Sequence, residues 1–359
     1  MIHSTISRKL LAVGAFAAFA GLASCSSSTT TPPTPTVTPS AAYTETILVS
    51  DQSGMGATNP TPDPTLINEW GMSIGKTGIW WLSSNGGGVT NVYSSLGIPL
   101  QGLNPVPVSS RKSGGKGSPT GVVANSTVDF KGGHFIYCSL DGIITAWTGG
   151  ATTVIEATDS TAKYTGMALA SNGGANFLYV ADFANKKIVV YDKNYTLTTL
   201  TGSFTDNASP AIPAAAGPYN IALVGGQLYV TYSTFGPLAG NGYISVFNLD
   251  GTFVKRFASN GTLNEPWGIA IAPSTFDAKF KNALLVGNFG DGTINGYNAS
   301  TGAYLGQISK DTISTPLKID GLWGLTVTSS AGGNDSTAVY FTAGPSSETH
   351  GLFGFIKPK

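Results

Sequence analysis

The sequence predicts an all-β fold: a six-bladed β-propeller of four-stranded blades, with an N-terminal strand completing the last blade. Three observations predict it. After residue 65 one phrase recurs six times: a turn, a short apolar strand, a second strand and a glycine-led third. It is clearest in NEWGMSI, NEPWGIAIAP and DGLWGLTV and in the WWLSSN, LLVGNF and VYFTAG that follow. The glycine or its equivalent after the first turn falls at Gly71, Gly121, Gly166, Asn220, Gly268 and Gly324. The steps are 50, 45, 54, 48 and 56 residues, as for four-stranded blades with variable loops. Finally, the sixth unit ends after three strands, while one strand stands unused ahead of the first.

In order, that unused strand is YTETILVSD, residues 43–51. Unit one has WGMSI, IWWLSSN and VTNVYSSLG; unit two TGVVA, FIYCSLDG and IITAWTG. Unit three has YTGMALA, FLYVADF and KIVVYD, with YTLTTLTG as a fourth strand. Unit four has PYNIALV, QLYVTYS, GYISVFN and GTFVKRFA; unit five PWGIAIA, ALLVGNFG, GTINGYN and GAYLGQIS. Unit six has LWGLTVT, AVYFTAG and HGLFGFI. Such runs of Val, Ile, Tyr, Phe and Thr bounded by Gly, Asn and Asp are strand signals. No segment keeps a helical period over three turns. Pairing residues 43–51 with the three strands of unit six closes the ring and removes an open edge.

Ahead of the repeats lies a targeting segment. Arg8 and Lys9 precede a short apolar run, Leu10 to Gly21, and Leu22-Ala23-Ser24-Cys25 resembles a bacterial lipobox. Residues 1–24 are therefore expected to be a lipoprotein signal peptide and Cys25 the lipidated first residue. Residues 25–42 form a Ser/Thr/Pro-rich tether that cannot bury a core, and the propeller domain spans 43–359. Ser26 favours the outer membrane, so the expected place is the envelope, facing the periplasm or the cell surface. With Cys25 lipidated only Cys138 remains, too few for a disulfide or a thiolate zinc site. Without Arg8 and Lys9 the mature chain has 17 basic and 19 acidic residues, which gives no electrostatic footprint for nucleic acid. A monomer is expected.

LVSD, LINEWGMS, LNEPWGIAIAP, LLVGNFGDGTINGYN, IDGLWGL and YFTAGPSSETHGLFG together resemble an uncharacterised bacterial family of secreted or lipid-anchored six-bladed propellers, related to NHL-repeat propellers. The resemblance covers about residues 45–356. It implies the fold and brings no catalytic residue with it; any step to enzymes on similar propellers is fold-level analogy.

Function is expected where the chain comes into each inner strand and where second and third strands join. Those positions hold Asn68, Glu69, Trp70, Asn85, Asp141, Tyr164, Asp182, Tyr219, Asn220, Tyr232, Asn264, Glu265, Trp267, Asn288, Asp291, Asp320, Trp323, Glu348 and His350. Three readings compete. In the first, Trp70, Asn220, Trp267, Asn288 and Trp323 bind a glycan, a peptide or an envelope protein. In the second, Asn68, Asp182, Asn220, Asn264 and Asn288 supply oxygens to calcium, which would polarise an ester or lactone carbonyl as in propeller lactonases. In the third, Asn and Asp form turns and Trp packs between blades. Glu348 and His350 are the candidate acid–base pair, while His134 reads as structural. No GxSxG elbow exists. The loop at 109–118 fails P-loop spacing, and GNFGDGTING lacks the EF-hand ligand order. The expected function is an envelope binding module; the alternative is a calcium-dependent lactonase-like hydrolase or lyase. Unequal decoration of the units centres the site on blades four, five, six and one.

Overall fold

A computed structural model of the chain describes residues 41–59, 61–234, 236 and 239–359. Cys25, the signal segment and nearly all of the tether lie outside the described residues.

The strands form six four-stranded antiparallel sheets. Blade one holds β2 (Glu69–Ile74), β3 (Trp80–Ser84), β4 (Val89–Tyr93) and β5 (Val106–Pro107). Blade two holds β6 (Pro119–Ala124), β7 (Phe135–Ser139), β8 (Ile143–Trp147) and β9 (Val154–Thr158). Blade three holds β10 (Tyr164–Asn172), β11 (Ala175–Asp182), β12 (Lys187–Tyr191) and β13 (Leu197–Thr198). Blade four holds β14 (Gly217–Val224), β15 (Gln227–Ser233), β16 (Tyr243–Phe247) and β17 (Phe253–Ser259). Blade five holds β18 (Pro266–Ile271), β19 (Leu284–Asn288), β20 (Ile294–Tyr297) and β21 (Tyr304–Gln307). Blade six holds β22 (Leu322–Thr326), β23 (Val339–Ala343), β24 (Leu352–Pro358) and, outermost, β1 (Tyr43–Ser50).

β1 runs antiparallel to β24 from Tyr43 opposite Pro358 to Ser50 opposite Leu352, so the two ends of the domain close the ring. Tyr43 also reaches back to blade five. Its ring packs on Phe276 and Phe280, and its hydroxyl bonds Asp277. The fourth strands of blades one and two were not resolved from the sequence; β5 is a two-residue piece that includes a proline.

The core lies between blades, because each sheet is apolar on both faces. Trp81 and Phe135 pack between blades one and two, and Tyr164 and Ile136 between two and three. Leu228 and Tyr179 fill three to four, and Ile244 and Leu284 four to five. Phe280 and Phe341 fill five to six, and Trp80 and Phe353 six to one. Cys138 is buried in this core between blades two and three, and burial pushes its thiol up to about 11.

The repeated glycine has a steric reason. In every blade the pairing of the first two strands shifts register at that position, a bulge that bends the inner strand at the channel. There each inner strand abuts the next. A Cβ on Gly71 would stand 2.5 Å from Thr120 O, one on Gly121 2.8 Å from Met167 N, and one on Gly166 against Asn220. A Cβ on Gly268 would stand 2.6 Å from Trp323 O, and one on Gly324 2.9 Å from Trp70 O. Asn220 completes the circle differently: its Nδ2 donates to Trp267 O at 2.8 Å. Six positions thus carry backbone contact around the ring.

Candidate functional site: the upper mouth of the channel

We call upper the face at which the chain comes into each inner strand. There Trp70, Tyr219, Trp267 and Trp323, from blades one, four, five and six, meet in a buried aromatic cluster across the channel. Trp70 stacks on Trp323 with centroids 3.6 Å apart, and Trp267 stands edge-on to Trp70 at 6.2 Å and to Trp323 at 5.9 Å. Phe289 stacks on Trp323 at 4.0 Å. Trp267 Nε1 donates across the ring to Thr165 O at 3.0 Å. Trp70, Trp267 and Trp323 are 3%, 4% and 1% exposed, so these tryptophans face one another and plug the channel from within. The surface shown to solvent belongs to Leu140, Phe183 and Phe289, which are half-buried on top of the plug. Their signal in the sequence is positional, since each follows the second strand of its blade.

Around the plug the polar groups are tied to one another. Asn68 Nδ2 donates to Glu348 Oε2 at 2.7 Å, and its Oδ1 accepts from Trp323 Nε1 at 2.8 Å. Glu265 Oε1 accepts from Gly236 N at 2.6 Å. Burial raises the Glu265 carboxyl above its usual range. The bonds from Gly236 and Ser233 lower it in part, and the nearby Glu348 charge pushes it up further. Burial, then Glu265 and Glu348, raise Tyr219 between them. Asn68, Glu265, Ser346, Ser347 and Glu348 all have positive φ, of 53°, 51°, 56°, 57° and 65°. Side chains with a Cβ take that conformation at a cost of about 1–2 kcal/mol each. Five of the thirteen such residues among those described stand at the mouth.

Calcium needs several oxygens aimed at one point. Asn68 is occupied at both ends. Asn220 Oδ1 accepts from Ile221 N at 2.8 Å, and Asn288 Oδ1 accepts from Asn264 N at 3.1 Å. Asp182 accepts from Lys163 N, Asn185 N and Asn185 Nδ2 at 3.2, 3.2 and 2.7 Å. Asn264 Oδ1 is buried without a partner, but among the described residues no three His, Cys, Asp or Glu side chains converge to hold a metal. This donor set does not fit a calcium ion. Glu348 and His350 also part company. Glu348 turns to Asn68, whereas His350 Nδ1 lies 2.7 Å from Asp51 Oδ2 and its Nε2 2.9 Å from Gln52 Nε2, at the end of β1.

Below the plug the channel opens on the lower face as a cavity of about 340 Å³ lined by all six inner strands, among them Met72, Met167, Asn220 and Leu325. Behind the mouth, between blades six and one, lies a buried acid network. Burial pushes the Asp63 carboxyl up, but hydrogen bonds from Thr65, Tyr93 and Asn104 outweigh it and leave it below its usual range. Glu69 is fully buried and its carboxyl is raised well above its usual range. Burial is the chief cause; Ser84 lowers it in part, and the nearby Asp63 charge raises it further.

The fold recurs in solved enzymes. The soluble aldose sugar dehydrogenase from Escherichia coli aligns over 89% of this chain and 100% of that one, with TM-score 0.56 and 12% identity. Virginiamycin B lyase from Staphylococcus aureus aligns over 88% and 99%, with TM-score 0.51 and 10% identity. At such identities the likeness concerns the propeller fold alone. No family model matches the chain. Two relatives come from Acanthamoeba polyphaga mimivirus. Uncharacterized protein R648 is 35% identical over 334 residues, 86% of this chain and 78% of that protein. Uncharacterized protein L690 is 35% identical over 321 residues, 82% and 81%. These relatives are viral, so neither the bacterial origin nor the lipid anchor expected from the sequence rests on them. The chain belongs to the family of six-bladed propellers that includes the mimivirus proteins R648 and L690.

Proposed function

We propose that this protein is a binding propeller of the cell envelope, tethered through lipid on Cys25, that presents its upper mouth to a glycan, a peptide or an envelope protein. One observation carries the reading: at the mouth half-buried Leu140, Phe183 and Phe289 lie on the tryptophan plug with the exposed Glu348, whose carboxylate is held by the buried Asn68. An apolar floor with a few fixed polar groups suits recognition. In this reading Trp70, Trp267 and Trp323 shape the floor, while Asn220 and Asn288 hold it from beneath. The anchor and the envelope location are supported by residues 1–42 alone.

The test is to probe glycan and peptide arrays with the chain from residue 26. A ligand whose binding falls at least about tenfold in both Phe289→Ala and Glu348→Gln supports the reading; loss of one desolvated contact is worth that much. The absence of any binder, or binders indifferent to both changes, overturns it. For the anchor, Cys25→Ala should move the protein from the detergent to the aqueous phase on Triton X-114 partition, and unchanged partition refutes lipidation.

A further inference from the structure

Away from the channel and from the upper mouth, the lower face has an opening between blades one and two. Where inner and second strands join on that face, the loops differ in length and in what they reach. In blade six, residues 327–338 join the inner strand to the second and reach blade one: Asn334 Oδ1 accepts from Trp80 Nε1 at 2.6 Å and its Nδ2 donates to Gly78 O at 2.8 Å. In blade two, residues 125–134 reach blade three, where Phe130 N donates to Lys193 O at 2.8 Å. In blade five the corresponding loop sets Phe276 and Phe280 against Tyr43. Blade one has only residues 75–79 there, closed on themselves by Gly75 N to Ile79 O and Gly78 N to Gly75 O, both 2.9 Å. They make no bridge like that of blade six; blades three and four have still shorter turns there, Gly173-Gly174 and Gly225-Gly226, so the opening belongs to this interface and not to loop length alone.

The interface is left open as a cleft of about 730 Å³. Its wall is Trp81 stacked on Phe135 at 4.1 Å and tilted to Trp147 at 4.5 Å. Leu100 and Leu103 line the outer side. Val128 stands at the lip, 91% exposed. The ionisable residues lining the cleft are Lys76 and His134, with no Asp or Glu among them. The His134 ring lies 5.9 Å from Trp147. The Asn125 amide is spent on the carbonyls of Thr127, Asp129 and Gly133.

Volume, aromatic wall and one-sided charge point to one class of occupant. We propose that this cleft binds a small ring-bearing apolar molecule with an anionic end, an aryl carboxylate or sulfonate. Its rings lie among Ile79, Leu100 and Leu103 against the edge of Trp147, which is 9% exposed, and its anion lies toward Lys76 and His134.

The experiment titrates 1-anilinonaphthalene-8-sulfonate, and separately the uncharged N-phenyl-1-naphthylamine, into the chain while following dye emission. Both dyes should bind with a blue shift. Lys76→Glu should weaken the sulfonate dye roughly tenfold, the scale of a two-unit charge change several ångströms from the anion in water, and leave the uncharged dye nearly unchanged. Ser126→Trp, at an exposed lining position, should fill the cleft and abolish both, with circular dichroism showing that each variant stays folded. No binding of the sulfonate dye, full binding in Ser126→Trp, or an equal effect of Lys76→Glu on the two dyes overturns the proposal.

Discussion

Replacing Gly268 by alanine should lower the melting temperature although only one methyl group is added. The new Cβ would lie 2.6 Å from Trp323 O, 2.9 Å from Leu325 Cγ and 2.9 Å from Leu325 N. Two of these atoms are backbone, so blade six must move rather than a side chain turn. In a closed ring that movement cannot be released at a free edge. Overpacking of this kind costs about 1–3 kcal/mol. Alanine returns about 0.4–1 kcal/mol by stiffening the unfolded chain, which leaves roughly 1–2 kcal/mol of net loss. At about 2.1 cal/mol/K of unfolding entropy per residue, a domain of this size loses roughly 1.5 °C per kcal/mol, so differential scanning calorimetry should read a fall of about 2–3 °C. Near-ultraviolet circular dichroism should change with it, because the displaced Trp323 carries the plug. Gly150→Ala is the control: its Cβ would meet only Thr152 O at 3.7 Å, and its melting temperature should hold or rise. A Gly268→Ala protein that melts with the wild type and the control would refute the close-contact ring.

Deleting residues 43–51 should remove the buried Tyr43, Leu48 and Val49 and bare the edge of β24. At about 1.5–3 kcal/mol per buried side chain the melting temperature should fall by roughly 10 °C, and a fall of under about 3 °C would refute closure by β1. Glu69→Gln tests the buried carboxyl. Its folded pKa is raised, so the folded state holds the proton more tightly; the stability this brings is present below the unfolded value and is lost as pH rises toward the folded value. The variant should therefore gain on the wild type in melting temperature as pH rises from about 4 to 8, and a flat difference would refute the assignment. Millimolar calcium should move the melting temperature by less than about 1 °C; a rise of several degrees, the linkage signature of a bound ion, would mean that the oxygens at the mouth rearrange to hold one.

Sequence reading went furthest where local pattern and architecture share one cause. The missing fourth strand of unit six and the spare YTETILVSD were two halves of one sheet, and the structure pairs them from Tyr43 to Ser50. Five of the six ruler positions were legible because steric exclusion at a close contact admits almost only glycine; at the sixth, Asn220 bonds Trp267 O instead. β5 was not legible: two residues with a proline carry no alternation. At the mouth the sequence identified which residues approach the axis but not which way they turn. Glu348 and His350, two residues apart, go to Asn68 and to Asp51. Which neighbour a side chain finds depends on the opposite end of the chain, hundreds of residues away.

By itself the sequence determined blade number, strand order and ring closure, since these follow from periodicity and from the need to pair every edge. Only the tertiary structure decided that Trp70, Trp267 and Trp323, at the starts of three inner strands, pack with Tyr219 into a plug, leaving Phe183, Phe289 and Leu140 as the surface of the mouth. It alone also decided that a cleft lies between blades one and two. The first depends on distances across the ring and the second on how two neighbouring blades pack, and a one-dimensional period encodes neither.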